Sequence, residues 1–190
     1  MLTTELLLSA YRQGVFPMAD YHGGIGWYFP ERRGLIPLDE RFHLPHGLKR
    51  VLKKNRFAIT VDRDFEGVIR ACSTAHGKTW ISGEIQRAYL RLHRDGHAHS
   101  IESWLGDELA GGLYGVHLGA AFFGESMFHR ATDASKVALV ALVERLRAHG
   151  FLLLDTQWNT PHLATFGAVE VTPACYLRLL KKALARDCSF

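Results

Sequence analysis

Three polar side chains in a row close an apolar stretch: Phe151-Leu-Leu-Leu154 runs straight into Asp155-Thr156-Gln157. Consecutive apolar residues of this length read as a buried strand. A carboxyl group at the end of such a strand is costly to ionise, so it has to be hydrogen-bonded, paired or shifted in pKa. In an extended chain, residues i and i+2 point to the same side, so Asp155 and Gln157 face one group together if strand geometry continues through Thr156. Unlike polar groups at the end of a buried strand suit a site carried on a rigid element. They equally suit a strand closed by turn-forming residues, and the rest of the chain has to decide.

A second set of residues suits binding. Residues 41–56 hold Arg41, His43, His46, Lys49, Arg50, Lys53, Lys54 and Arg56 and no acidic residue. Lys49, Lys53 and Arg56 share one face of a helix at i, i+4 and i+7, with Arg50 and Lys54 beside them. Like charges at i, i+4 repel. A polyanion would relieve that repulsion, and nucleic acid is one candidate; a merely solvated face is the other. Trp27-Tyr28-Phe29 puts three aromatics before Pro30. They are expected to pack in the core under a loop, with a platform for a flat ring as the alternative.

Composition sets limits on the class. The 190 residues are enough for one domain, or for one large and one small lobe. A net charge of +4 permits a polyanionic partner without demanding one. Cys72, Cys175 and Cys188 are far apart and form no CxxC pair. A disulfide scaffold or zinc site is therefore not expected, and a reducing cytoplasm fits best. Met1-Leu-Thr-Thr-Glu5 has no basic stretch followed by a long apolar one, so neither a signal peptide nor a membrane span is expected.

The elements that would carry these residues follow from periodicity. Leu6, Leu7, Ala10 and Tyr11 mark a short amphipathic helix stopped by Gly14. Val15 to Gly24 reads as a loop, and Arg32 to Pro37 as an edge strand. Phe57–Val61 reads as a strand, followed by a helix from Phe65 capped by Asp62 or Asp64. Ser82 caps a helix with Ile85, Ala88, Tyr89 and Leu92 on one face, and Gly96 stops it. Residues 97–104, 108–116 and 120–128 are strands joined by short turns, which means an antiparallel meander. Gly111, Gly112 and Gly115 in its middle strand point to a bulge or a close approach. Asp133 or Ser135 caps a helix over 136–149 that is apolar nearly all round at its start, hence buried. The Phe151 strand, a short helix from His162, a strand over 168–172 and a helix over 176–186 complete the chain.

The order of strands, buried helix and buried strand is that of an acyltransferase core of the N-acetyltransferase type. The expected fold class is thus α+β: a small N-terminal lobe with the basic helix over residues 1–60, and a GNAT-like mixed-sheet catalytic domain over 61–190. Fold analogy alone does not give function. Coenzyme A-dependent members hold the pyrophosphate on a glycine-rich loop before the buried helix. Here that junction, Met127 to Lys136, contains no glycine. Coenzyme A is therefore a poor candidate donor, and no cofactor or metal is expected.

Several motifs resemble one family. Tyr11-Arg-Gln-Gly-Val-Phe-Pro17, Thr79-Trp80-Ile81, Ala88-Tyr-Leu-Arg-Leu-His93, Gly96-His-Ala-His-Ser-Ile-Glu102, Gly111-Gly-Leu-Tyr-Gly115, Gly124-Glu-Ser-Met-Phe128, Ala134-Ser-Lys136 and Asp155-Thr-Gln157 run through nearly the whole chain. The chain resembles the leucyl/phenylalanyl-tRNA–protein transferases. The resemblance implies an aminoacyltransferase that takes leucine or phenylalanine, sometimes methionine, from charged tRNA. It joins that residue to the N-terminal Arg or Lys of a protein, which then carries an N-degron for degradation. The implied partners are leucyl-, phenylalanyl- or methionyl-tRNA and such acceptor proteins, with no membrane, for a monomer.

The resemblance also assigns residues. The catalytic pair falls on Asp155 and Gln157. From its place on the strand over Gly124–Phe128, Glu125 is expected either as a second carboxylate near the site or as a structural hydrogen-bonding group at the strand end. The aminoacyl pocket corresponds to Leu113, Phe122, Leu139 and Leu142. The terminal adenine would stack on Trp80, with Met18 where many members carry tryptophan; a thioether still contacts a ring face, over less area. Lys49, Arg50, Lys53, Lys54 and Arg56 would hold tRNA. The donor ester is already activated, so positioning could supply on the order of 7–11 kcal/mol. Asp155 would orient the acceptor's amine and relay its proton, and Gln157 would turn that amine toward the carbonyl carbon. The rival readings are an acetyl-CoA-dependent N-acetyltransferase, a non-catalytic tRNA-binding module, and an enzyme that builds cell-wall peptide bridges from charged tRNA.

Overall fold

The apolar run that ends in Asp155 lies deep inside a mixed sheet, and it pairs differently on its two sides. The computed structural model describes residues 2–20, 22–75 and 79–190. Met1 and Tyr21, which the expected leaderless start and the expected loop include, lie outside these. In chain order the elements are α1 (Thr4–Arg12), β1 (Phe16–Ala19), β2 (Ile25–Tyr28), β3 (Arg33–Ile36), α2 (His46–Lys53), β4 (Ala58–Val61), α3 (Phe65–Thr74) and α4 (Gly83–Arg94). Then come β5 (Ala98–Leu105), β6 (Glu108–Leu118), β7 (Ala121–His129), α5 (Ala134–Ala148), β8 (Leu153–Gln157), α6 (Pro161–Ala164), β9 (Val169–Val171) and α7 (Pro173–Leu184). β1 and β2 form a hairpin of their own, and the other strands make one seven-stranded sheet in the order β4-β5-β6-β7-β8-β3-β9. β7 and β8 pair in parallel, through the α5 crossover, and the remaining neighbours are antiparallel.

Successive side chains of a strand point to opposite faces, so apolar runs such as Phe122-Phe123 and Leu153-Leu154 feed two cores. On one face Phe123 and Leu153 meet Leu7, Val68, Ile85 and Leu180 from α1, α3, α4 and α7. On the other, Phe122 and Leu154 meet Leu48 of α2 and the apolar side of α5. The helices start where the sequence offers caps: Thr3 accepts from Leu6 N–H, Asp64 from Gly67 N–H and Ser82 from Ile85 N–H.

Two bulges shape the centre of the sheet. On β7, Ser126 faces Tyr114 and Gly124 faces Gly115, which leaves Glu125 as an extra, unpaired residue. On β8, Asp155 faces Leu35 and Gln157 faces Gly34, which leaves Thr156 extra. A bulge re-aims a side chain and ends regular pairing. The parallel β7–β8 ladder accordingly stops at Phe123↔Asp155, and the strands run on apart from each other. Gly115 is required at the first bulge, because a Cβ there would run into the Phe123 carbonyl oxygen and the Phe122 ring.

The structure corrects several expectations. Residues 16–19 are a strand rather than loop. Residues 33–36 are an interior strand between β8 and β9, not an edge; their burial on both faces is what a short Arg-Gly-Leu-Ile run hides. β3 and β4 both belong to the large sheet. Trp27, Tyr28 and Phe29 are not core; they are 41%, 40% and 37% exposed, because their hairpin has no full layer over it. α2 ends at Lys53, and Asn55 takes a φ of 45°, so Arg56 leaves the helix face shared by Lys49 and Lys53. β8 begins at Leu153, with Leu152 exposed.

The chain leaving the second bulge lies directly over Gly34, whose added Cβ would meet the backbone of Trp158 and Asn159. Gly34→Ala is therefore expected to cost about 1–3 kcal/mol, seen as a lower urea midpoint at unchanged slope. An unmoved midpoint would show that this segment is not fixed against β3.

Candidate active site

Asp155 is fully buried, and it is not alone. Arg33, at the start of β3, is 1% exposed. Its Nε donates to Asp155 Oδ1 at 2.9 Å and Oδ2 at 3.0 Å, and its Nη2 donates to Oδ2 at 2.6 Å. Tyr176 Oη, from α7, donates to Oδ2 at 2.6 Å, and the backbone N–H of Gln157 donates to Oδ1 at 2.7 Å. The guanidinium is completed by Nη1 donating to the Gly14 carbonyl at 2.8 Å and by the rings of Phe16 and Tyr176 at 4.9 and 4.4 Å. Burial works against the charge on Arg33, and Asp155 more than offsets it, so the arginine is held protonated. Burial, then Asp155, pushes the Tyr176 hydroxyl up.

This ring of donors occupies both oxygens of Asp155. The bulge at Thr156 and a φ of 65° at Gln157 interrupt the regular strand between the two polar residues. Within this bend Asp155 holds the backbone N–H of Gln157. The Gln157 side chain is buried, and its Nε2 makes no hydrogen bond among the described residues.

Glu125 is the carboxyl with a different environment. Its position on the bulge sends the side chain among three tyrosines. Tyr11 Oη, from α1, donates to Oε1 at 2.7 Å, and Tyr89 Oη, from α4, donates to Oε2 at 3.1 Å. The two hydroxyls also touch each other. Burial pushes Glu125 up to about 7, against the lowering effect of the Tyr11 and Tyr89 hydrogen bonds; Asp155 raises it further and Gln157 lowers it. Gln157 thus lies close to Glu125, although its Nε2 is outside hydrogen-bonding geometry. Tyr114, opposite the bulge, has a buried hydroxyl with no hydrogen bond among the described residues. A carboxyl poised near neutrality beside unpaired donors is suited to moving a proton.

The split between β7 and β8 opens into a cavity of about 100 Å³. Glu125, Tyr114 and Thr156 line its polar side, and Leu113, Leu139, Leu142 and Leu154 its apolar side. Leu113, Leu139 and Leu142 are thus brought together with Glu125. Phe122 is not among the lining residues; it is fully buried and stacks on Phe190 at 5.1 Å. Met18 and Trp80 pack on the sheet face that carries α1, α3 and α4, and the Ala19 N–H donates to the Trp80 carbonyl at 3.1 Å, which sets their segments side by side. Lys49, Arg50, Lys53, Lys54 and Arg56 are all exposed, on or just after α2, which packs on the opposite face. Among the described residues, no cluster of His, Cys, Asp and Glu side chains is placed to hold a metal ion, and no helix is long and apolar enough to cross a membrane.

Arg33, Tyr11, Tyr89, Tyr114 and Tyr176 are the residues that sequence reasoning missed. A signal existed for some of them. Tyr11 and Tyr89 sit on apolar helix faces, where a phenol needs a partner for its hydroxyl. A buried Asp155 also demanded a cation from somewhere.

Comparison with known proteins gives the same picture at the level of family. The family model described as Leucyl/phenylalanyl-tRNA protein transferase matches residues 35–181, and the model of its N-terminal domain matches residues 1–31. Among curated relatives, the leucyl/phenylalanyl-tRNA–protein transferase of Akkermansia muciniphila is 60% identical over 186 residues, 96% of each chain. Those of Herpetosiphon aurantiacus and Rubrobacter xylanophilus are each 54% identical, over 100% of this chain and 98% of theirs. This chain belongs to the leucyl/phenylalanyl-tRNA–protein transferase family.

Proposed function

We propose that this chain transfers leucine or phenylalanine, and to a lesser extent methionine, from aminoacyl-tRNA to the N-terminal Arg or Lys of acceptor proteins. The product carries an N-degron for protein degradation, and the enzyme works in the cytoplasm as a monomer. One observation carries the reading: Glu125, near neutral pKa, sits at the head of an apolar cavity in a chain of this family. The catalytic part is GNAT-like in this reading, and the N-terminal part contributes the basic helix.

The donor's side chain enters the cavity between Leu113, Leu139 and Leu142. No charged group opposes it there except Glu125 at the mouth. A pocket of this kind separates similar apolar side chains by only ~1–3 kcal/mol, so methionine is tolerated. The terminal adenine rests against Trp80 and Met18. Lys49, Arg50, Lys53, Lys54 and Arg56 hold phosphates without reading bases.

The acceptor's amine attacks the ester carbonyl carbon, the bond from that carbon to the ribose oxygen breaks, and the amine's proton ends on that oxygen. An α-amino group has a pKa of about 7.7–8.0, so a strong base is not needed. Glu125 takes the proton from the amine and returns it to the leaving oxygen. Gln157 Nε2 donates to the carbonyl oxygen as charge builds on it. Asp155 touches neither substrate; with Arg33 and Tyr176 it fixes the turn that presents Gln157.

The direct test is transfer of labelled leucine from leucyl-tRNA to peptides that begin with Arg, Lys or Ala. Transfer to the first two and not the third is expected, and none at all would refute the reading. Transfer should rise with pH through about 7 as Glu125 ionises. Glu125→Gln should flatten that profile and lower kcat by roughly 10²-fold. The same acidity affects stability. The folded value lies above the ordinary 4.5, so Glu125's stabilising contribution is present at low pH and is lost as pH rises through about 7. Glu125→Gln should remove that decline from a pH series of urea midpoints.

Two substitutions separate positioning from chemistry. Asp155→Ala leaves Arg33 buried and unpaired, and should lower stability by about 3–5 kcal/mol together with activity. Gln157→Asn tolerates the positive φ but withdraws the amide, so kcat should fall at an unchanged melting temperature. If both variants keep wild-type transfer rates, the assignment is wrong. Changing Lys49, Lys53 and Arg56 together should reduce the slope of log affinity for tRNA against log salt by about 2–3. An unchanged slope would remove this surface from the tRNA path.

A further inference from the structure

A second cavity, of about 520 Å³, adjoins the first, and Met127 and Leu163 line both. It lies between the end of β7, the start of α6 and the N-terminus of α5, a 15-residue helix. Its charged and polar lining is Lys136, His129, His162, Ser135, Thr132, Thr160 and one carboxylate, Asp133. The helix start is open. Asp133 occupies the N-cap with a φ of 68°, and its side chain makes no capping hydrogen bond. Its Oδ1 instead accepts from Lys136 Nζ at 2.7 Å. Ser135 is 5% exposed, lines the cavity, and has no side-chain hydrogen bond among the described residues. Burial, then Lys136 and His129, hold the His162 imidazole down in pKa, so near neutral pH it offers a neutral N–H.

The Ala134 N–H already donates to the Ala131 carbonyl at 3.1 Å, which leaves the backbone N–H groups of Ser135 and Lys136; with an ammonium, a buried hydroxyl and imidazole donors they make an environment for an anion. In this structure the cation of that set is satisfied internally, by Asp133. The same sheet face carries α2 with its exposed lysines and arginines, so a polyanion lying on α2 passes over the face that holds this cavity.

We propose that this cavity is the subsite for the phosphate on the 5′ side of the tRNA's terminal adenosine, bound by the side chains of Lys136 and Ser135 and by the backbone N–H groups of these two residues. The proposal rests on the transferase reading, because the ribose that bears this phosphate is the one esterified at Glu125. Lys136 changes carboxylate for phosphate when the donor arrives, and Asp133 acts as the resident stand-in for that phosphate. The site then senses whether the aminoacyl group arrives on a nucleotide, in addition to the basic helix that senses the body of the tRNA.

The test uses a non-transferable donor, 3′-leucylamido-adenosine, with and without a 5′-phosphate, as a competitive inhibitor of transfer by the full chain. The wild type should bind the phosphorylated compound more tightly. Lys136→Gln should raise its inhibition constant about tenfold, the effect of losing one charged hydrogen bond, while moving that of the unphosphorylated compound less than twofold. Ser135→Ala should act in the same direction and more weakly. Asp133→Asn, which tolerates the left-handed backbone, should act in the opposite direction and tighten the phosphorylated compound by a few-fold. If the 5′-phosphate brings nothing in the wild type, or if the variants move both compounds alike, the phosphate subsite is wrong and the transferase reading stands. If the unphosphorylated compound does not compete with leucyl-tRNA at all, the aminoacyl site itself is wrong.

Discussion

The ion pair between Arg33 and Asp155 is the constraint on which the rest of the centre depends. Neither charge reaches solvent, and neither is tolerable without the other. Satisfying them recruits distant pieces of chain: β3 for the guanidinium, β8 for the carboxylate, α7 for the Tyr176 hydroxyl, and the Gly14 carbonyl just past α1. The backbone of Gln157 is pulled into the same arrangement and takes up a positive φ to get there. An apolar pair of equal volume would fill the space equally well. It would not bend the chain at Gln157, and the amide would no longer lie close to Glu125.

The two carboxyls at the centre show how environment divides labour between like groups. Asp155 meets a cation and donors on both oxygens. Glu125 meets phenols and apolar walls. Tyr11 and Tyr89 soften the effect of burial without abolishing it, which leaves the group near the middle of the physiological range. Their hydroxyls come from α1 and α4, so helices on one sheet face set the acidity of a group that opens toward the other.

Local chemistry was legible in the sequence, and long-range chemistry was not. The caps at Asp64 and Ser82, the meander from Ala98 to His129 and the buried face of α5 follow from neighbours within a turn or a strand. Arg33 could not be matched to Asp155, because 122 residues separate them and an arginine in a short strand looks like any edge residue. The bulges at Glu125 and Thr156 were invisible for another reason. No residue type marks the extra position; only the glycine facing the first one, Gly115, gave a hint. Trp27, Tyr28 and Phe29 were misread because apolar character predicts burial only where an opposing layer exists, and a lone hairpin lacks one. The motifs pointed to the end of β8, yet they did not reveal the ring of donors around Asp155.

The seam between β7 and β8 has a mechanical side. The two strands share register over Ala121–Phe123 and Leu153–Asp155 and then part, and the bulges on both sides of the gap hold it open. Beyond Phe123 and Asp155, the described residues of the two strands share no further ladder pairs. Widening the slot therefore costs side-chain packing against Leu139 and Leu142 but no rungs of the ladder. A sheet built without a seam would admit one guest size. In the proposed reaction the slot would serve as an adjustable jaw, its grip reset by repacking leucines, so that a branched aliphatic chain and a benzyl ring would use the same opening without refolding the strands around it.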